Sequence, residues 1–231
     1  MFNWNYDCFI VKLIYTFFKK ILPSRVFIYL QNYKRLFTLP KEIRTIVNSL
    51  EKYEVCLDFG ANVGIYSQLF AKYKATVYSF EPDPIPFKEL KQKSANFKNI
   101  NPIMKAVGTT NSKGKLYLDK KYLQDELFYS EHNSLIKEKD NVGDKYIEVE
   151  VVDIADWLND FERVKFAKID VEGFEVELIN HLIDTSAINK IDYIFVETHE
   201  KRIKNLDKQI VELKLKITNL GIENKFFWNW P

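Results

Sequence analysis

The stretch from Val55 to Glu81, VCLDFGANVGIYSQLFAKYKATVYSFE, constrains the fold more than any other part of the chain. A short apolar run over residues 54–58 enters a glycine-containing turn, and residues 65–74 then carry helical patterning. Residues 76–80 form a second run, β-branched and aromatic throughout, that stops where Glu81-Pro82 forbids further ladder bonding. Strand, turn, helix, strand is the repeating unit of a parallel sheet wrapped by helices. Downstream, residues 84–97 read as a helix with proline in its first turn and 100–107 as a third strand. Residues 165–169 read as a fourth strand ending at Asp170, 174–182 as a helix, and 193–196 as a fifth strand ending at Glu197. The expected fold class is α/β: a doubly wound, mostly parallel, Rossmann-like sheet with helices on both faces.

The remaining segments are less regular. Residues 109–146 turn polar, with NSKGK and NVGDK as turn signals, and are expected to form a substrate loop. Ile147, Val149 and Val151 alternate as a strand does and lead into an amphipathic segment, 154–158. Ile203, Leu206, Ile210, Leu213, Ile217 and Leu220 follow helical spacing and predict a helix packed on the sheet, with residues 225–230 as a final edge strand. Near the start, Ile10, Leu13, Ile14, Phe17, Phe18 and Ile21 form one apolar stripe opposite Lys12, Lys19 and Lys20. No uninterrupted apolar run there reaches the roughly 18 residues of a spanning helix. The stripe predicts a helix that packs on the main domain or makes weak contact with a membrane surface.

At 231 residues the chain suits one full domain, residues 46–231, preceded by a helical appendage, residues 1–45. Lys and Arg number 34 against 32 Asp and Glu, so a net charge of +2 gives no electrostatic case for nucleic acid, and small-molecule chemistry is expected. Cys8 and Cys56 offer neither a disulfide framework nor a zinc set, which fits a reducing, cytoplasmic compartment.

The chemistry begins at Asp58, Gly60, Asn62 and Gly64. Glycines at these positions let the backbone turn sharply toward a ligand, and the following helix presents free N–H groups. A dinucleotide turn uses three glycines, G-x-G-x-x-G, around a pyrophosphate; here two glycines flank Ala61, Asn62 and Val63, and an acid precedes them. That acid repels phosphate and suits a cation. S-adenosylmethionine, with an ammonium and a sulfonium and no phosphate, is therefore favoured over a nicotinamide dinucleotide. Glu81 closes the next strand 23 residues after Asp58, the separation expected of an acid that bonds ribose hydroxyls.

DFGANVGIYS, SFEPDP, AKIDVEGFEVELI and FVETHE, in this order, resemble the FkbM-type methyltransferases, which methylate hydroxyls of sugars and secondary metabolites. The resemblance covers roughly residues 51 to 200 and implies a sheet order 3-2-1-4-5 with further strands at one edge. It implies that Asp58, Gly60, Asn62 and Gly64 hold the methionine end of S-adenosylmethionine and Glu81 its ribose. Ala106 and Val107 would lie against the adenine and Asp170 would face the reacting methyl. Two departures stand out: KAVGTT offers no acid for the adenine amine, and the C-terminus leaves room for one strand where a hairpin is usual.

Asp170, Glu172, Glu197 and His199 are expected to converge beside the cofactor, because adjacent parallel strands bring their carboxyl ends together. An alcohol acceptor must lose its proton as it attacks, and His199, held by Glu197, is the candidate base by residue type. No metal is assigned, although an acidic cluster with a histidine is also a donor set for a divalent cation. His132, from the substrate loop, reads either as a contributor or as a surface residue. The implied acceptor is a small molecule or glycan. The alternatives are a nicotinamide-dependent oxidoreductase on a similar sheet and a non-catalytic protein that kept the fold.

Overall fold

The computed structural model describes residues 39–228, together with Pro23, Val26 and Leu30. The amphipathic stripe between Ile10 and Ile21 lies outside the described residues.

In chain order the elements are α1 (Lys41–Asn48), β1 (Val55–Phe59), α2 (Ile65–Lys72), β2 (Thr76–Phe80), α3 (Pro84–Ser94), β3 (Ile100–Ile103), β4 (Ala106–Gly108) and β5 (Ser112–Asp119). Then follow α4 (Glu126–Tyr129), β6 (Val142–Asp153), α5 (Ile154–Trp157), β7 (Val164–Ile169), α6 (Glu175–Asp184), β8 (Ile191–Val196), α7 (Leu206–Asn219) and β9 (Phe226–Phe227). Six strands form a sheet in the order β3-β2-β1-β7-β8-β9, with every pairing parallel. This is the implied order with one added strand. The sixth strand is a two-residue parallel edge on β8 rather than one arm of a hairpin.

Strand parity sorts the core into two layers. Leu57, Ala167, Ile194 and Val196 point to a core closed by Leu178, Leu182, Leu206 and Leu213 of α6 and α7. Cys56, Phe166 and Phe195 point the other way, against Ile43 and Val47 of α1 and Phe70 of α2. Leu39 and Ile43 are fully part of this second core, so the domain includes chain ahead of residue 46. Helix α7 buries Leu206, Ile210, Leu213 and Ile217, as the apolar spacing requires.

Two expectations are corrected. The third strand breaks at Met104-Lys105: β3 stays in the main sheet, while β4 leaves it and pairs with β6. Residues 109–146 are not an irregular loop throughout, because β5 and the twelve-residue β6 run antiparallel through it and complete a second sheet, β4-β6-β5. The strand pattern there is masked in sequence by Lys113 and Lys115 on its exposed face and by Gly114 between them. Only residues 120–141, between β5 and β6, form the irregular wall over the strand ends. Among the described residues no helix is long and apolar enough to cross a membrane.

Candidate active site

Phe59 pairs in register with Phe80 and Ile169, and Ile169 with Val196. One residue beyond each of these matched strand ends stand Gly60, Glu81, Asp170 and Glu197, and all four line a single cavity of about 420 Å³. That volume lies within the range of small-molecule and cofactor sites. Residues 130–135, Lys139 and Asn141 form its outer wall.

The β1 turn can pass the β7 turn only because residue 60 is glycine. Its φ is +73°, and a Cβ there would stand 1.9 Å from the carbonyl oxygen of Asp170. Asn62 follows at φ +46°, its side chain accepting from Val63 N and reaching Ser130 Oγ at 3.4 Å. Gly64, at φ +78°, caps α2 but does not line the cavity; a Cβ there would meet Leu90 at 2.5 Å, so this glycine serves helix packing.

Glu81 is 6% exposed, and each carboxylate oxygen accepts one backbone N–H: Oε2 from Asn62 at 2.8 Å and Oε1 from Asp83 at 2.9 Å. Burial, and then the charge of Asp83, push its pKa up to about 8, against the pull of those amides and of Lys168. Both oxygens keep a lone pair, which suits them to a ribose diol. Ala106 and Val107 line the cavity as apolar wall.

Asp58 does not reach the cavity. It shares the parity of Cys56, so it points under α2, where Ser67 Oγ donates to Oδ2 at 2.6 Å and Ser79 Oγ donates to Ser67. The cation it faces is a protein group: Lys168 Nζ, 3.4 Å from Oδ1 and beside it in register on β7. Lys168 also donates to Gly60 O at 2.9 Å and pairs with Asp170 Oδ2 at 3.2 Å. Burial opposes its charge, yet Asp170 and Asp58 outweigh burial and hold its pKa above the ordinary lysine value. This lysine was missed in sequence, although a charged residue within the apolar run FAKI marks a buried ion pair.

His199 is surrounded by carboxylates. Its Nδ1 lies 2.9 Å from Glu175 Oε1, and its Nε2 lies 3.3 Å from Glu172 Oε2 and 3.9 Å from Asp170 Oδ1. Burial alone would lower its pKa, but Glu172 and Glu175 raise it to about 11, so the ring is an imidazolium at neutral pH. The ring is held by Glu175; Glu197, whose backbone N–H bonds Ile169 O, also lines the cavity. Glu175 Oε1 also accepts from Val171 N and Gly173 N, which fixes the tight turn between β7 and α6. Glu172, at φ +56°, is also bound by the ammonium of Lys139; burial raises its pKa, but His199 and Lys139 bring it down to about 2.

Asp170, Glu175 and His199 place donor atoms within 4.8 Å of one another, the one such group among the described residues. Within the chain, Lys168 faces Asp170, Lys139 faces Glu172, and the His199 ring lies between Glu172 and Glu175.

The site fits S-adenosylmethionine. The close approach at Gly60, the ribose-competent carboxylate of Glu81 and the apolar Ala106–Val107 wall follow one another along the cavity, and Asp170 Oδ1 is buried there without a hydrogen bond. A doubly wound sheet with such a site at the carboxyl ends of its strands is that of a cofactor-binding enzyme, and a turn without the third glycine favours S-adenosylmethionine. The chain belongs to the FkbM methyltransferase family: the model of the methyltransferase FkbM domain matches residues 58–221. This excludes the nicotinamide-dependent oxidoreductase. A curated relative, the hexuronic acid methyltransferase AglP of Haloferax volcanii, is 26% identical over 191 residues, covering 80% of this chain and 73% of that protein. Among solved structures, the methyltransferase FkbM from Methylobacillus flagellatus KT superposes with a TM-score of 0.43 at 16% identity, over 75% of this chain and 38% of that one. The chain thus spans well under half of that longer protein. A SAM-dependent methyltransferase from Aquifex aeolicus gives 0.42 at 13% identity, over 87% and 88%.

Proposed function

We propose that the chain transfers the methyl group of S-adenosylmethionine to a hydroxyl of a small carbohydrate or secondary-metabolite acceptor. The observation that carries this reading is one cavity at the strand ends lined by two groups of polar residues. Gly60, Asn62 and Glu81 line the same cavity as Asp170, Glu172, Glu197 and His199, and residues 130–135, Lys139 and Asn141 form its outer wall. A cofactor and a small polar acceptor can therefore share one site. The relative from Haloferax volcanii, named for a hexuronic acid, agrees in kind.

When bound, S-adenosylmethionine supplies a methyl group on a cationic sulfur. The chain's own part is to orient and to exclude water. Glu81 accepts the ribose hydroxyls, the turn at Gly60 and Asn62 borders the methionine end, and Ala106 and Val107 cover the adenine. Asp170, anchored by Lys168, borders the point where methyl and acceptor meet. Lys139 and the His199 imidazolium hold Glu172 in place, so the polar face offered to the acceptor is set before it binds.

Calorimetric titration with S-adenosylmethionine and with NAD tests the cofactor end, with binding expected for the first alone. Formation of S-adenosylhomocysteine in the presence of neutral and acidic pyranosides, with mass analysis of the product, tests the acceptor end. A methyl ether is expected; turnover only with a non-carbohydrate amine or nucleic acid would overturn the reading.

A further inference from the structure

A hydroxyl acceptor needs a proton acceptor, and His199, Glu172 and Asp170 are each bound to a cation or carry a proton already. The geometry points to His132, oriented by Asp119, as the group that takes the acceptor's proton; this rests on the hydroxyl reading above.

His132 closes the helical turn 130–132 and lines the same cavity as Glu81 and Asp170. Its carbonyl is held by the ammonium of Lys139 at 2.9 Å, so the ring is carried on an anchored backbone. Nδ1 is buried and has no hydrogen bond, with the buried Asp119 Oδ2 3.5 Å away, while Nε2 lies 3.7 Å from Oε1 of the more exposed Glu131. Asp119 does not line the cavity. It is 8% exposed at the end of β5, its Oδ1 accepting from Lys121 N at 2.7 Å and its Oδ2 from Asn141 Nδ2 at 2.8 Å. A buried, immobilised carboxylate behind Nδ1 favours the tautomer whose proton lies on that nitrogen, leaving Nε2 as acceptor on the other side of the ring.

The charged groups that face the ring are Asp119, Glu131, Glu172, Lys139 and Arg202, with Tyr129 packed against it. Burial is the largest influence and lowers the pKa; Glu172 and Asp119 oppose it, and Lys139 and Arg202 reinforce it. The cavity thus holds two histidines shifted in opposite directions: carboxylates raise His199, and burial lowers His132. In the reaction the acceptor oxygen bonds to the methyl carbon as the carbon–sulfur bond breaks and its electron pair stays on sulfur. The hydroxyl proton passes to His132 Nε2, and the resulting imidazolium, facing Asp119, later returns it to water.

Two measurements on the full chain decide this. The first needs no acceptor: long-range ¹H–¹⁵N spectra of the three imidazoles, assigned with His132→Asn, His181→Asn and His199→Asn. His132 is expected neutral at pH 7 with its proton on Nδ1, and Asp119→Asn is expected to shift that tautomer. A cationic His132 at pH 7 would overturn the proposal. The second is turnover on the pyranoside panel, where His132→Asn should lower kcat by about 10²–10⁴-fold with unchanged S-adenosylmethionine affinity. His132→Asn forming a methyl ether at the wild-type rate overturns the base assignment alone. A wild-type product that is only a methyl ester overturns the hydroxyl reading, and the base with it, because a carboxylate needs none.

Discussion

Oε1 of Glu175 lies 2.9 Å from Nδ1 of His199 while accepting the amides of Val171 and Gly173, so one buried oxygen ties the end of β8 to the turn after β7. The consequence is that His199 acts as a structural cation. A pKa raised from the ordinary 6.5 to about 11 means the folded state holds a proton the unfolded chain gives up above pH 6.5. The stabilisation is complete below about pH 6.5 and is lost as pH rises through about 11.

His199→Gln should therefore destabilise the protein at pH 7, by about 3–5 kcal/mol as for breaking a buried pair. The deficit against wild type should shrink toward pH 11. Urea denaturation at pH 7 and at pH 10 measures both. An equal deficit at the two pH values would show that the ring is not held as a cation.

Lys168 should behave as the partner of two carboxylates. Lys168→Met leaves Asp58 and Asp170 facing each other's charge without an ammonium, and should cost about 3–5 kcal/mol and weaken cofactor binding through the Gly60 carbonyl it holds. Adding Asp58→Asn should restore part of the loss. A double-mutant cycle on the denaturation midpoint reads the coupling.

Glu81 should oppose stability and favour binding at once. With its pKa raised to about 8, the folded state keeps a proton that the unfolded state loses above about pH 4.5, so stability falls as pH climbs from 4.5 to 8. Glu81→Gln should raise Tm at pH 8 to 9 relative to wild type, while weakening S-adenosylmethionine by about 1–3 kcal/mol. Wild type should also release protons on binding near pH 7, seen as a dependence of the calorimetric heat on buffer ionisation enthalpy.

Two glycines with nearly the same φ separate conformation from contact. Gly221, at φ +67°, has nothing within 4 Å of a built Cβ, so Gly221→Ala should cost only the backbone term, about 1–2 kcal/mol. Gly60→Ala, at φ +73°, adds a Cβ 1.9 Å from the Asp170 carbonyl and should abolish cofactor binding in calorimetry, with a much larger loss of stability. Equal costs at the two positions would mean the turns do not approach as described.

Much of this architecture was legible in the chain alone. Apolar runs broken by Gly60, Glu81, Asp170 and Glu197 locate the parallel strands and their carboxyl ends, because a buried strand needs near-continuous apolar patterning and its end opens to the cavity. The 23-residue step from Asp58 to Glu81 marks a nucleotide-type turn, and the four motifs name the family.

What sequence could not decide was direction and pairing. Whether Asp58 faces the cavity or α2 depends on strand parity relative to a neighbour, and only the register with Lys168 resolves it. The second sheet required β5 and β6 to meet across the segment 120–141, a long-range pairing with no local signal. The charge of a histidine is likewise a property of its neighbours in space. Composition assigns His132 and His199 the same intrinsic pKa; the tertiary fold buries both, and it sets Glu172 and Glu175 close enough to one to outweigh burial but leaves burial dominant at the other.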